Sequence, residues 1–311
     1  MEDIFNEALK MKYFDSQRGR NLTLNDSLIS IFRISKQLEK QYGDISTFNV
    51  KRIIEFYKFY NSRSIMKLQN INSQLKIYTD WCISNKLIEN DGQNHFAEIT
   101  VKEMGTCVNK AKTENIILTK DDIDEICKEL ENYFEKFIVS AMFDGICGNY
   151  CSEISELKAS DFNTKDGIRY AKLNSGRTIP VSDSTYVYAK QASLTYDYTS
   201  VTGKEFQFKS DDVRCIKNKW NAYGAETQTK RRKIVYNSLV NISEITGKQV
   251  TIGGLNESGR INMINDLYKN DENKGKNIEY IIKNNPDIEY IYGEIFQMPI
   301  WLYTYGEYIE T

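Results

Sequence analysis

The chain has 311 residues, 41% of them apolar and 27% charged, with a formal net charge of −2. That composition allows about two globular domains and excludes a disordered or low-complexity protein. It holds no run of about 18 apolar residues, and its acidic, amphipathic start MEDIFNEALK is unlike a secretory signal, so a cytoplasmic protein with no membrane contact is expected.

The N-terminal 179 residues precede the first of only three prolines, so long uninterrupted helices can form there. DSLISIFRISKQLEKQYG sets Leu28, Ile31, Phe32, Ile34 and Leu38 at helical spacing after an Asn25/Asp26 cap, with Gly43 ending the helix. NVKRIIEFYKFYNS and NINSQLKIYTDWCISNKL repeat the period, each read as starting at a capping Asn, Asn49 and Asn70. A four- or five-helix bundle over 1–105 follows.

The polar, lysine-rich TVKEMGTCVNKAKTENI marks a linker, placed at 106–117, and a second domain is expected over 118–311. It opens on LTKDDIDEICKELENYFEKFIVSAMFDGI, where Thr119 and Asp122 form a capping box and one apolar stripe runs on to Met142 and Phe143. GIRYAKLNSGRTIPVS alternates around an Asn-Ser-Gly turn and predicts a short β-hairpin. Helical periodicity returns in KIVYNSLVNISEITG, closed by Gly247, and in SGRINMINDLYKN. The expected architecture is mainly α with a small β-sheet, in two domains.

Cys82, Cys107, Cys127, Cys147, Cys151 and Cys215 lie mostly in apolar runs without C-x-x-C spacing, so they are read as reduced core thiols. His95 is the sole histidine, which rules out any mechanism needing two. Residues 1–115 carry 17 Lys+Arg against 14 Asp+Glu, and the rest 24 against 29. Nucleic-acid binding would therefore need a local basic face, since the total charge does not supply one. One such candidate is TQTKRRKIVYNSL, with Lys230, Arg231, Arg232 and Lys233 at a helix start, where cations oppose the helix dipole unless an anion is present.

The order of these signals, with CSEISELKASDF followed by a hairpin ending in RTIPV, resembles the tyrosine recombinase (phage integrase) family over nearly the whole chain. The resemblance implies a two-domain fold, a helical core-binding domain and an α+β catalytic domain, that clamps duplex DNA. It also implies a site, and here the residues depart from the pattern. Ser152, Glu153, Leu157 and Asp161 match the first motif and leave Tyr150 where the first catalytic arginine belongs. Lys172 matches the hairpin lysine, and in LNESGRINMIND Arg260 keeps the second arginine while Glu257 stands for the first histidine. In YGEIFQMPIWLY Glu294 stands for the second histidine, and Tyr303 falls at the nucleophile.

The family's reaction attacks a phosphodiester with the tyrosine hydroxyl and needs cationic donors on the phosphorane oxygens. Carboxylates there add repulsion, so no strand cleavage is expected, and catalytic residues are expected to be none. DNA binding needs none of that set. Lys51, Arg52, Arg63, Lys67, Asn70, Asn72, Gln74 and Lys76, with the 230–233 cluster, are the candidate DNA contacts, Asn and Gln being suited to adenine.

The resulting expectation is a sequence-specific double-stranded-DNA-binding protein, a phage transcriptional repressor that maintains lysogeny, nucleoid-associated in a bacterial host. A protein regulator is a further expected partner. No cofactor is expected, and no metal, since Glu257 and Glu294 alone make a poor ligand set. The rivals are an active or accessory recombinase using Tyr303, and an interaction protein without DNA affinity of its own.

Overall fold

The computed structural model describes residues 4–17, 22–88, 92–200, 203–218, 227–273, 275–295 and 297–309. By contact the chain divides into one unit running to Thr113 and including Pro299–Thr304, and a second running from Glu114 to Met298 and including the residues from Tyr305 onward.

In the first unit the helices are α1 (Glu7–Ser16), α2 (Leu22–Tyr42), α3 (Val50–Tyr60), α4 (Ile65–Ser84) and α5 (Val101–Gly105), with α6 (Lys110–Glu114) where the chain divides. Phe32, Phe56, Tyr57, Leu68, Ile71, Leu75 and Tyr78 are fully buried between them. Tyr78 meets Tyr13 and Phe32 edge-on, at 5.2 and 4.9 Å between ring centroids. Asn49 caps α3 as its position predicts, accepting from the Arg52 amide.

Two other predicted caps fall inside helices. α4 begins fifteen residues after α3 begins, on Ser64, whose hydroxyl accepts from the Lys67 amide, so Asn70 lies mid-helix. The Ser62 hydroxyl ties the preceding turn to Ser64 and fixes that earlier start. α2 likewise runs from Leu22, which puts Asp26 in its second turn; the side chain of Asn25 lies outside the described residues.

The second unit contains α7 (Lys120–Glu129) and α8 (Tyr133–Phe143), then strands β1 (Phe162–Lys165), β2 (Ile168–Lys172) and β3 (Thr178–Pro180) in an antiparallel sheet ordered β1-β2-β3. After α9 (Asp183–Leu194), strands β4 (Asp197–Thr199) and β5 (Glu205–Gln207) pair as a hairpin. The rest is helical: α10 (Thr227–Thr246), α11 (Ile252–Tyr268), α12 (Ile278–Asn284) and α13 (Pro286–Tyr292), followed by α14 (Met298–Tyr305), whose Pro299–Thr304 belong to the first unit. The Thr119/Asp122 capping box is present.

The single helix expected through to Phe143 is instead two. Leu130 turns extended (φ −77°, ψ 140°) and buries its side chain, and Asn132 binds the backbone of Thr199 in both directions, at 2.8 and 3.0 Å. Tertiary hydrogen bonds thus override an unbroken apolar stripe.

α8 is apolar nearly all round and forms the centre of this unit, with Phe137, Ile138, Val139, Ala141 and Met142 fully buried. α11 approaches it through Gly259, where an added Cβ would sit 1.8 Å from the Phe143 carbonyl oxygen. The predicted hairpin forms around Gly176 at φ +90°, and β1 adds a strand that the sequence reading passed over. Its signal was there in Asp166-Gly167, both at positive φ, a two-residue hairpin turn.

Candidate functional site

The motif residues of the second unit gather around a cleft of about 590 Å³ at the C-terminal end of α13, lined among others by Gly148, Asn149, Glu153, Arg177, Asn256 and the backbone of Tyr290 to Gly293. The last carbonyls of a helix carry partial negative charge and need donors. Two arginines supply them. Arg177 Nη1 donates to the carbonyls of Tyr290 and Ile291 at 2.7 and 2.9 Å. Arg260 Nη2 donates to the carbonyls of Tyr292 and Gly293.

Each arginine is backed by a carboxylate. Glu153, buried, accepts from Arg177 Nη2 at 2.6 Å and from Nε at 3.1 Å, and from the Ser175 hydroxyl at 2.6 Å. Glu257 accepts from Arg260 Nη1 at 3.1 and 3.3 Å, one turn earlier on α11. Arg260 is itself only 4% exposed, and its Nε is buried with no hydrogen-bond partner. Arg177 is the one cation among the described residues lining the cleft, against Glu153 and Glu289.

Tyr150 is 79% exposed and, with Cys151, holds a left-handed backbone (φ 53° and 60°). Such a conformation is costly for residues other than glycine, and Gly148 just before has no room for a Cβ beside Ser152 and Glu153. Lys172, at the end of β2, is exposed, and so is Glu294. Tyr292, the last residue of α13, donates its hydroxyl to the Phe143 carbonyl at 3.0 Å, and burial pushes its phenol well above the ordinary range.

Tyr303 belongs to the first unit, although the sequence reading places all of 118–311 in the second domain. Its ring lies against Gly105, where an added Cβ would come within 2.8 Å of Cε1 and Cζ, and the side chain is 45% exposed. Ile300, one turn earlier, is buried in the core of that unit.

The candidate DNA contacts separate clearly. Lys51, Arg63, Lys67, Asn70 and Lys76 are exposed. Arg52 is half-buried, its guanidinium 4.8 Å over the Tyr42 ring. Asn72 and Gln74 are half-buried and hydrogen-bonded within the first unit. Asn72 accepts from the Tyr57 hydroxyl at 2.6 Å and donates to the Phe96 carbonyl at 3.0 Å, and Gln74 donates to Ser27 with its Oε1 buried. Both tie α4 to its neighbours. Met66 (50% exposed) and Ile77 (55%) share the outward face of α4 with Asn70 and Ser73, and apolar periodicity alone could not tell that they face solvent.

In the 230–233 cluster, Arg231 is not at the surface. Arg231 is 2% exposed and donates to the Ser155 carbonyl at 2.9 Å and to Glu156, which Arg214 also holds at 3.1 Å. Arg232 is half-buried and its Nε has no hydrogen-bond partner, Lys230 is partly covered, and Lys233 is exposed. The missed signal is SEISEL, whose two carboxylates, Glu153 and Glu156, each need a cation once buried or half-buried. Arg231→Ala should therefore lower stability by about 2–4 kcal/mol, measured by chemical denaturation, while Lys233→Ala should stay within about 0.5 kcal/mol of the parent.

The model of the MrpR C-terminal catalytic domain matches residues 117–294, and that of the MrpR N-terminal core-binding domain matches residues 4–84. The chain belongs to the MrpR family. Its fold is accordingly the two-domain tyrosine recombinase-like one, mostly helical with small sheets. A relative of this MrpR-family chain, the SPbeta prophage-derived uncharacterized protein YopR of Bacillus subtilis (strain 168), is 25% identical over 289 residues, 86% of this chain and 83% of the relative. A solved structure of the Tn1549 transposon integrase (residues 82–397), in complex with circular intermediate DNA, aligns over 95% of this chain and 94% of that one at 14% identity, with a TM-score of 0.49.

Proposed function

We propose that this chain is a sequence-specific double-stranded-DNA-binding protein built on a recombinase fold without strand-cleaving chemistry, acting as a transcriptional repressor that maintains lysogeny in a temperate phage of the SPβ type. The observation that carries the loss of chemistry is the use made of Arg260. Its Nη atoms are spent on Glu257 and on the end of α13, and the cleft beside it presents more carboxylate than cation. A phosphorane needs donors free to face its oxygens, and loss of one commonly costs about 100- to 1000-fold in rate. Tyr150, Glu257 and Glu294 stand where three more such donors would be.

DNA binding is supported by the exposed face of the first unit. Lys51, Arg63 and Lys67 are placed to meet phosphates, and Met66, Asn70 and Ile77 on α4 offer the apolar and amide contacts that read thymine methyl groups and adenine in a major groove. The matched core-binding model points the same way, and the relative's prophage origin supports the phage context. The partial exposure of Tyr303 favours the second reading, a recombinase that still uses this tyrosine.

A single pair of assays separates the two. Mobility shifts on prophage promoter and attachment-site fragments should reveal specific, salt-sensitive binding, weakened about tenfold or more by combined Lys51→Ala, Arg63→Ala and Lys67→Ala and unchanged by Tyr303→Phe. Nicked substrates carrying the bound site should trap no covalent protein–DNA complex. A trapped complex that disappears in Tyr303→Phe would establish the recombinase, and absence of any specific binding would remove both readings.

A further inference from the structure

The second unit holds a cavity of about 370 Å³ that the motif residues do not touch, walled by the β4–β5 hairpin (Tyr198, Phe206, Phe208), by Phe134 at the start of α8 and by one face of α10 (Ile234, Ser238). Three of its rings form a stack: Tyr198 lies 5.1 Å from Phe206 and 4.9 Å from Phe208, nearly parallel to both, and Phe134 meets Tyr198 and Phe208 edge-on. Into this aromatic setting the first turn of α8 brings one carboxylate, Glu135.

Glu135 is 5% exposed, yet it lines both this cavity and an adjoining one of about 240 Å³ that also carries Glu129 and Glu131. Its Oε2 accepts from Asn132 Nδ2 at 2.7 Å, the residue that pins the hairpin through Thr199. No arginine or lysine forms a salt bridge with it among the described residues. Lys136, next in sequence, turns to the rings of Tyr133 and Tyr188, and Lys204 lies over Phe206 without lining the cavity. Glu153, Glu156, Glu257 and Asp212 each have an arginine, and half-buried Asp144 is met instead by the amide and hydroxyl of Ser182. Burial, with Glu131 nearby, holds the Glu135 carboxyl above its usual range, as expected for a charge site without its counter-ion.

We propose that this cavity is a binding site for an organic cation on an apolar stem, an ammonium or guanidinium group that pairs with Glu135 while its stem packs on the Phe134, Tyr198, Phe206 and Phe208 rings. Faces of stacked aromatic rings attract cations, and a buried carboxylate selects for them against neutral molecules of the same shape. The stem length is set by the cavity, which admits one ring or one long side chain. The two sources of such a group are a free amine and the basic side chain of a short peptide.

The test uses the full chain, titrated calorimetrically with 2-phenylethylamine, with the blocked tripeptide acetyl-Leu-Arg-Leu-amide, and with the neutral 2-phenylethanol. Binding of the amine or the peptide, weakened about tenfold or more by Glu135→Gln, is the expected result, and whichever of the two binds identifies the source. Glutamine keeps an acceptor for Asn132, so an unchanged melting temperature and circular dichroism spectrum would show that only the charge was lost. Phe206→Ala, on the hairpin, should weaken the same ligand. The proposal is overturned if neither cation binds at millimolar concentration, if the alcohol binds as well as the amine, or if Glu135→Gln leaves the affinity intact.

Discussion

Arg260→Ala should destabilise the second unit by about 3–5 kcal/mol, a loss visible in urea denaturation without any DNA present. The guanidinium is buried, it neutralises Glu257, and it caps the last carbonyls of α13 at Tyr292 and Gly293. Removing it takes the guanidinium from those carbonyls and from the half-buried Glu257 carboxylate. Arg260→Lys should recover little, because one ammonium cannot span Glu257 and two carbonyls as the planar fork does. An arginine kept chiefly to grip a phosphate would behave in the opposite way, with stability close to the parent and a defect that appears only with DNA. The denaturation midpoint therefore decides between a structural and a catalytic role at this position.

Lys10→Met should be the most damaging single change in the first unit, again by about 3–5 kcal/mol. Lys10 and Glu39 are both fully buried and 2.6 Å apart, with Lys10 also donating to the Phe5 carbonyl at 2.8 Å and lying 4.5 Å over the Phe32 ring. Glu39 further accepts from Ser35 and from the Ile45 amide. Losing the lysine strands a charge among aromatic rings. Adding Glu39→Gln, whose oxygen can still accept from the Ile45 amide while its amide group donates to the Ser35 hydroxyl, should restore most of the loss, because a neutral side chain no longer needs the cation.

The same pair predicts a pH dependence. Burial raises the Glu39 carboxyl above its ordinary range, and Lys10 works against that rise. A carboxyl with a raised folded-state pKa favours the folded state below its unfolded value, and that contribution fades as pH rises through the folded value. With Lys10 removed the rise becomes larger. The deficit of Lys10→Met should therefore be greatest at neutral pH and shrink in mildly acidic buffer, while the Lys10→Met/Glu39→Gln double variant should show no such change. An equal deficit at both pH values would mean that Glu39 carries no charge in the folded parent.

Local chemistry explains which parts of the fold could be read from residues alone. Asn49, the Thr119/Asp122 box and the Asn-Ser-Gly turn act within three or four residues, so their effect is written in the sequence. The break between α7 and α8 depends on Asn132 reaching Thr199, 67 residues away, and no window on the sequence contains that bond.

The family resemblance and the apolar periodicity of both units were determined by the sequence by itself, because motif spacing and helical period are local properties of the chain. What each of these polar side chains does was decided only by tertiary structure. Of the residues read as surface contacts, Arg231 is buried and Asn72 and Gln74 are half-buried and hydrogen-bonded within the first unit, Arg177 and Arg260 are drawn to the end of α13, and Tyr303 packs with the first unit against Gly105. A covered polar group must find its partner, and for Arg231, Arg177, Asn72 and Gln74 the partners stand far away in sequence.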